Sequence, residues 1–347
     1  MWDPLLRLVI GALVLAALTW LLWPGSGLAA RVRRGRSHRR RVLREDALKY
    51  LFKAEKDEGW PTLEGMAGVL GIDTDAASAV LGDLISVGLA QRQDRGPSLT
   101  EAGRDYALHV IRAHRLWERY LADHTGFGEV EWHREADVKE HDLTREEVAR
   151  LQESLGHPTH DPHGDPIPNT TDEAVSAEGW TLADAPLRRP LRILHVEDEP
   201  EALYVQVLAH DLHPGTVVHL EERTPTAVTF WANGREGLLA PLVAASVLVA
   251  VAEAPAARPT EPRRTLRDLA IGEEAVLTEI APSVRGLERR RLLDLGFLPG
   301  TPVTAEMASA GGDPIAYRVR GSLVALRHHQ AAQIYVTAGA GAALPAT

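Results

Sequence analysis

Two stretches in the second half of the chain follow one plan, and that repeat limits the folds open to it. Thr181-Leu182-x-Asp184 recurs as Thr265-Leu266-x-Asp268, and His213-Pro214-Gly215-Thr216 recurs as Leu298-Pro299-Gly300-Thr301. Gly234 precedes Val249 by fifteen residues, with Ala244-Ala245 between them. Gly321 precedes Val336 by fifteen, with Ala331-Ala332 at the same places. Self-similarity of this kind marks a duplicated structural unit. Short apolar runs punctuated by Pro-Gly turns read as strands, so each copy is expected to form a small SH3-like barrel. These occupy 179–252 and 265–337, with linkers at 169–178 and 253–264 and a disordered tail at 338–347.

The chain has no cysteine, which excludes disulfides, thiolate metal sites, iron–sulfur clusters and cysteine nucleophiles. Any metal site must be made from His, Asp and Glu. The region from His114 to His141 has the spacing for one. His114 and Glu118 lie four apart in HRLWERYL and share a helix face. His133, Asp137, Glu140 and His141 run i, i+4, i+7, i+8 in HREADVKEH, which predicts a single stripe on a second helix. Imidazole and carboxylate together suit a divalent cation such as Mn2+, Fe2+, Co2+, Ni2+ or Zn2+, and the abundance of carboxylate leans to the harder ions. The bland alternative is a solvated polar face. HExxH and a nucleophile elbow are both lacking, so an enzyme is not expected.

Upstream, EDALKYLFKAEKDE (45–58) has helical periodicity ending at Gly59. Thr62 can cap a second helix, Gly71 makes a turn, and Thr74 or Asp73 can cap a third that runs to Val87. AQRQDRGPSLT reads as a two-stranded wing turning at Arg95-Gly96-Pro97. The segment 45–105 is thus expected to be a winged helix, and 106–168 a helical domain. Its presumptive recognition helix, DAASAVLGDLISV, holds two aspartates and no Lys, Arg, Asn or Gln. Ser78 and the Thr74 cap are its evident contacts for DNA, with Arg92 and Arg95 on the wing. An acidic helix is repelled by phosphates, so these residues argue for the fold more than for duplex binding.

Leu8–Trp23 is sixteen residues without a charge, and eight arginines follow between Arg31 and Arg44. A membrane helix needs roughly 20 apolar residues, so the segment is short for a span. It is expected to anchor residues 1–30 in a bilayer. The basic segment 31–44 would lie on anionic lipid and hold the remaining domains in the cytoplasm.

The order of these motifs, a winged helix, then HRLWERYL, HREADVKEH and LGHPTHDPHGDPIP, resembles the iron-dependent repressor family over Glu45 to about Val249. The resemblance implies a homodimer that binds Fe2+ or Mn2+, with two sites per subunit possible. It implies that His114, Glu118 and His133 serve one site and that Asp137, Glu140, His141 and Asp46 serve the other. His195 and Asp198 in RILHVEDEP would be lent by the SH3-like domain. Lys49 stands where manganese-type members carry a carboxylate. Thr265 to Val336 resembles FeoA, a small cytoplasmic partner of a bacterial ferrous-iron transporter, which implies protein–protein contact.

The expected architecture is therefore α+β multidomain: a transmembrane helix, a winged helix-turn-helix, an all-α metal-binding and dimerisation domain, and two SH3-like (FeoA-like) β-barrels. The expected function is a metal-dependent transcriptional regulator of metal-ion homeostasis. The alternative is a membrane-tethered metal sensor that has lost DNA binding and regulates a ferrous-iron transporter by protein–protein contact.

Overall fold

A computed structural model describes residues 9–13, 20, 28–56, 59–93, 96–168, 179–252, 264–281 and 283–338. The chain divides into two compact units, Met1–Ala113 with Glu140–Leu143, and His114–Lys139 with Thr144–Thr347.

The first unit is built on α1 (Leu28–Lys56), with α2 (Leu63–Leu70), α3 (Thr74–Ser86), the hairpin β1 (Ala90–Gln93) and β2 (Gly96–Leu99), and the start of α4 (Glu101–His124). The Thr62 hydroxyl caps α2 by accepting from the Gly65 amide, and Gly71 ends it in the left-handed conformation at φ 61°. Asp73 caps α3 through the Ala76 amide, which leaves Thr74 as its first residue. Leu48, Leu51, Met66 and Leu84 are fully buried between these helices, and together they form the core of a winged-helix arrangement.

Several expectations change here. The first helix begins at Leu28 and not at Glu45, so the basic segment 31–44 is continuous with the winged helix. Gly96 and Pro97 sit in β2 opposite Gln93 and Arg92, not in the turn. Arg95 lies outside the described residues, as do the linkers 169–178 and 253–263, residues 339–347 and most of the predicted membrane segment. Among the described residues, no helix is long and apolar enough to cross a membrane.

In the second unit, the rest of α4 is followed by α5 (Glu129–Lys139) and α6 (Arg145–Ser154), the latter started by a Thr144–Glu147 capping box. Two sheets come next. The strands of the first are β3 (Trp180–Thr181), β4 (Pro190–Val196), β5 (Val217–Arg223), β6 (Val228–Ala232), β7 (Arg235–Leu239) and β8 (Val247–Val251). Helix α7 (Glu201–Leu208) precedes β5, and α8 (Pro241–Ala244) precedes β8. Those of the second are β9 (Glu274–Ile280), β10 (Pro302–Ala308), β11 (Ile315–Val319), β12 (Ser322–Leu326) and β13 (Ile334–Ala338). Here α9 (Gly286–Asp294) precedes β10, and α10 (His328–Ala331) precedes β13.

The strand orders are β3-β8-β4-β5-β6-β7 and β12-β11-β10-β9-β13. From β4 and β9 onward the two sheets match strand for strand, as the repeat requires. The β3–β8 pair has its counterpart in a single bridge, Thr265 to Tyr335. Phe230 and Tyr317 fill the same core position, both fully buried.

Neither sheet closes into the expected barrel. Closure needs an unbroken seam of hydrogen bonds around the ring. Each of the five-residue strands β7 and β12 pairs with one neighbour only. Bulges at Ile193/His195 and Leu220/Glu222 in one sheet, and Ala305/Met307 and Tyr335/Val336 in the other, bend the strands over their cores instead.

Gly103 in α4 provides a test of how the winged-helix unit is packed. A Cβ there would lie 1.8 Å from the Leu89 carbonyl oxygen. Within a helix, glycine-to-alanine replacement ordinarily stabilises by roughly 0.5–1 kcal/mol. Here Gly103→Ala is expected to destabilise by about 2 kcal/mol or more, because backbone must move. Thermal unfolding of the variant checks the sign.

Candidate metal centres

Each unit gathers imidazoles and carboxylates around one centre. In the first unit the group is Asp46 from α1 with Glu140 and His141. These last two do not extend α5. The helix stops at Lys139, and Glu140–Asp142 forms a 3-10 turn, so the predicted single stripe is broken after Asp137. Tertiary contacts account for the break. His141 Nδ1 lies 2.6 Å from Glu45 Oε2, and Lys49 Nζ donates to both Glu140 oxygens at 2.9 and 3.1 Å. Such contacts tighten the turn against α1. His141 Nε2 is 3.4 Å from Asp46 and 3.5 Å from Glu140. Glu45, Glu140 and His141 are all buried, and the Tyr106 hydroxyl donates to Glu45 at 2.5 Å.

In the second unit the centre is Glu118, whose carboxylate is 2 % exposed. Its Oε1 lies 3.0 Å from His114 Nε2, one helical turn earlier on α4, and 3.4 Å from His133 Nδ1 on α5. Its Oε2 faces His163 Nδ1 at 3.7 Å. Asp198, in the loop after β4, stands 2.9 Å from His133 Nδ1 and 3.6 Å from His163 Nδ1. Asp137 joins from α5, 3.4 Å from each of His114 and His133. The rings of His114 and His133 meet edge to face at 4.8 Å. Two overlapping ligand sets result, His114–Glu118–His133 and Glu118–His163–Asp198.

His163 is held by a segment that reads in the sequence as an irregular, Pro- and Gly-rich cap. The buried carboxylate of Asp161 accepts from the amides of His163 and Asp165, winding the loop on itself. Gly164, at φ +94°, presses against β4, where a Cβ would lie 2.1 Å from the Leu194 carbonyl oxygen. The Val196 amide then donates to the His163 carbonyl. His195 is turned elsewhere, with its ring nitrogens 3.7 Å from Asp165 and 3.6 Å from Glu197. Of the two residues assigned to the barrel segment, Asp198 is the one that reaches the cluster.

Charge within these groups sets their titration. Burial alone would raise Glu118, but the charge of His114 and hydrogen bonds from His114 and His133, with His163 facing its other oxygen, hold it well below the carboxylate range. Burial lowers an imidazole, yet the facing carboxylates win at both centres. His163, beside Glu118 and Asp198, and His141, beside Asp46 and Glu45, are both pushed up to about 9. His133 is also raised, and Asp198 is lowered by its bond to His133 against the effect of its burial. Burial and the neighbouring Glu118 charge push Asp161 up to about 7.

Residues 100–169 match the family described as iron dependent repressor, metal binding and dimerisation domain, and residues 264–338 match the FeoA domain. The iron-dependent repressor IdeR of Mycobacterium tuberculosis is 31% identical over 161 residues, covering 43% of this chain and 70% of that protein. The chain belongs to the iron-dependent repressor family. A solved structure of the manganese-activated repressor ScaR superposes with a TM-score of 0.52 at 25% identity, covering 60% of this chain and 100% of that one. A probable metal transport system membrane protein of Chlamydia trachomatis is 40% identical over 88 residues, 25% of this chain, and the match spans only 20% of that protein. The repressor family is not an enzyme family.

The two donor sets differ in how they fit a divalent cation. Glu118, His163 and Asp198 fit. Both His163 ring nitrogens are buried without a hydrogen-bond partner among the described residues, while two carboxylates face Nδ1. Asp46, Glu140 and His141 also present the right donors, but Lys49 already neutralises part of their charge. Sequence reasoning missed His163 and Glu45. The Asp161-x-His163 spacing in DPHGDPIP was the available signal for the first, and the glutamate preceding Asp46 for the second.

Imidazoles raised above their ordinary 6.5 contribute stability fully below that pH and lose it as pH rises through about 9. A carboxyl raised as Asp161 is acts in the same direction, its contribution fading as pH rises through about 7. Chelator-treated protein is expected to lose thermal stability between pH 6.5 and 9. Mn2+ is expected to reduce that loss, since a cation replaces the protons; melting curves across the range, with and without metal, measure both.

Proposed function

We propose that the chain is a homodimeric, Fe2+- or Mn2+-dependent transcriptional regulator that controls metal-ion homeostasis. The observation that carries this reading is the Glu118–His163–Asp198 set, its first two members buried, with two carboxylates closing on an imidazole that has no hydrogen bond of its own. The names of the relatives support it, since they are an iron-dependent repressor and a manganese-activated repressor. The match of residues 100–169 to a dimerisation domain supports the homodimer. A bound divalent cation supplies positive charge that lets these carboxylates and imidazoles pack without protons. The chain's own part is to hold the donors. Asp46 ties α1 to the turn at Glu140–Asp142, and His133 and Asp198 tie α5 to the loop after β4.

Duplex DNA would be met by α3 and the wing. Thr74, Ser78 and Arg92 are exposed there, and Arg95 lies outside the described residues. The acidity of α3 is partly offset, because Arg44 donates to Asp83 at 2.8 Å and Arg40 stands 3.7 Å away. The alternative is a membrane-tethered sensor that regulates a transporter by protein contact. The exposed arginines on the first turns of α1, immediately after an apolar sequence, support it. In either case the anchor and a cytoplasmic placement of the domains belong to the proposal.

The full chain, stripped of metal, would be offered a genomic DNA library with and without Mn2+ or anaerobic Fe2+ at a fixed salt concentration near 0.15 M, since nonspecific affinity depends steeply on salt. Metal-dependent recovery of a palindromic site is expected, and it is expected to be lost in His163→Ala with Asp198→Ala. Recovery of no sequence by a protein that binds metal would replace the repressor reading with the tethered sensor.

A further inference from the structure

Among the described residues, Arg285 and Gly286 at the start of α9 join the FeoA-like segment to the ligand-bearing part of the second unit. Gly286 seats on the end of α4. Its φ is +56°, and a Cβ would lie 2.4 Å from the Thr125 carbonyl oxygen and 2.9 Å from that of Ala122. Only a residue without a side chain permits that approach. Arg285 then reaches inward. Its guanidinium stacks over the Trp132 ring at 5.7 Å, and its Nη1 donates to the Pro162 carbonyl at 3.4 Å.

The positions of those two partners matter. Trp132 precedes His133, and its ring lies 6.0 Å from that of His163. Pro162 precedes His163 and follows Asp161. One cation therefore backs two of the three segments that deliver imidazoles to Glu118, while its neighbouring glycine abuts the end of α4, which carries Glu118 and the third imidazole, His114. The first sheet contributes to the same junction. Glu129 on α5 accepts from His213 at 3.0 Å, and its charge also attracts Arg285.

We propose that Arg285 is a positioning residue for the Glu118–His163–Asp198 metal group, so that the FeoA-like segment sets the affinity of this site from within the chain. The inference rests on the metal-binding reading above. Groups that orient metal ligands from outside the coordination sphere typically change affinity about 10–100-fold when removed. Arg285 qualifies by contact, because it holds the loop bearing His163 and the ring beside His133 in one geometry. The partner of the FeoA-like fold, on this view, is the sensor domain of its own chain.

Two readouts on the full chain test this. Arg285→Ala is expected to weaken Mn2+ binding about tenfold at the site abolished by His163→Ala, and to leave binding at the Asp46–Glu140–His141 group unchanged. Arg285→Lys, which keeps the charge and is the milder change, is expected to recover part of the loss. Independently of metal, amide hydrogen exchange over residues 160–165 in chelator-treated protein is expected to quicken in Arg285→Ala. Unaltered Mn2+ titration together with unaltered exchange would overturn the proposal. Wild-type protein that takes up no Mn2+ through His163 would overturn the metal reading instead, and the exchange measurement would still decide whether Arg285 orders the loop.

Discussion

A carboxylate with 2 % of its surface in water is the constraint on which the second unit depends. Burying Glu118 as an anion costs far more than folding can spare unless charge is returned to it at hydrogen-bond range. His114, His133 and His163 return that charge from three separate segments, so α4, α5 and the loop at 161–165 are held in register by one side chain. Asp198 adds a second anion and brings the loop after β4 into the same balance. Removing one imidazole would leave two carboxylates facing each other with too little positive charge between them. The cluster is therefore both the candidate binding site and a structural joint.

The first unit solves the same problem differently. Three carboxylates, Glu45, Asp46 and Glu140, surround His141, and the chain supplies its own cation through Lys49. The ammonium sits on Glu140 at 2.9 Å. A metal arriving there must compete with a covalently tethered charge, whereas the ion pairs that surround Glu118 among the described residues are all to histidines. Two groups of similar composition are thereby set to different demands for an external cation.

Much of this was legible in the sequence, for identifiable reasons. Glycine, proline and alanine spacings are dictated by backbone geometry, so the repeat yielded two sheets with matching strands. Helical spacing placed His114 with Glu118 and His133 with Asp137, because those pairs do lie on continuous helix. The same reasoning failed at Glu140, where contacts with Glu45 and Lys49 convert the helix into a 3-10 turn; periodicity contains no information about a residue ninety positions away. His163 was hidden by proline and glycine, which ordinarily mark a connection and here shape a buried loop. Barrel closure was overestimated because strand count and length do not reveal whether the end strands meet. The identity of the ligands was thus easier to read than the segments that deliver them.

The two units are interleaved along the chain, since the winged-helix unit includes Glu140–Leu143 from beyond the first helices of the other. This has a consequence for how the protein is made. A ribosome releases the winged helix long before it releases the residues that complete it, and domains begin to fold as they emerge. Glu45 and Asp46 are made before His141, with α4 and α5 between them in the chain. The first unit is complete only once Glu140–Leu143 have been made, after the residues of α4 and α5. Neither unit can be inherited, excised or exchanged as a single uninterrupted stretch.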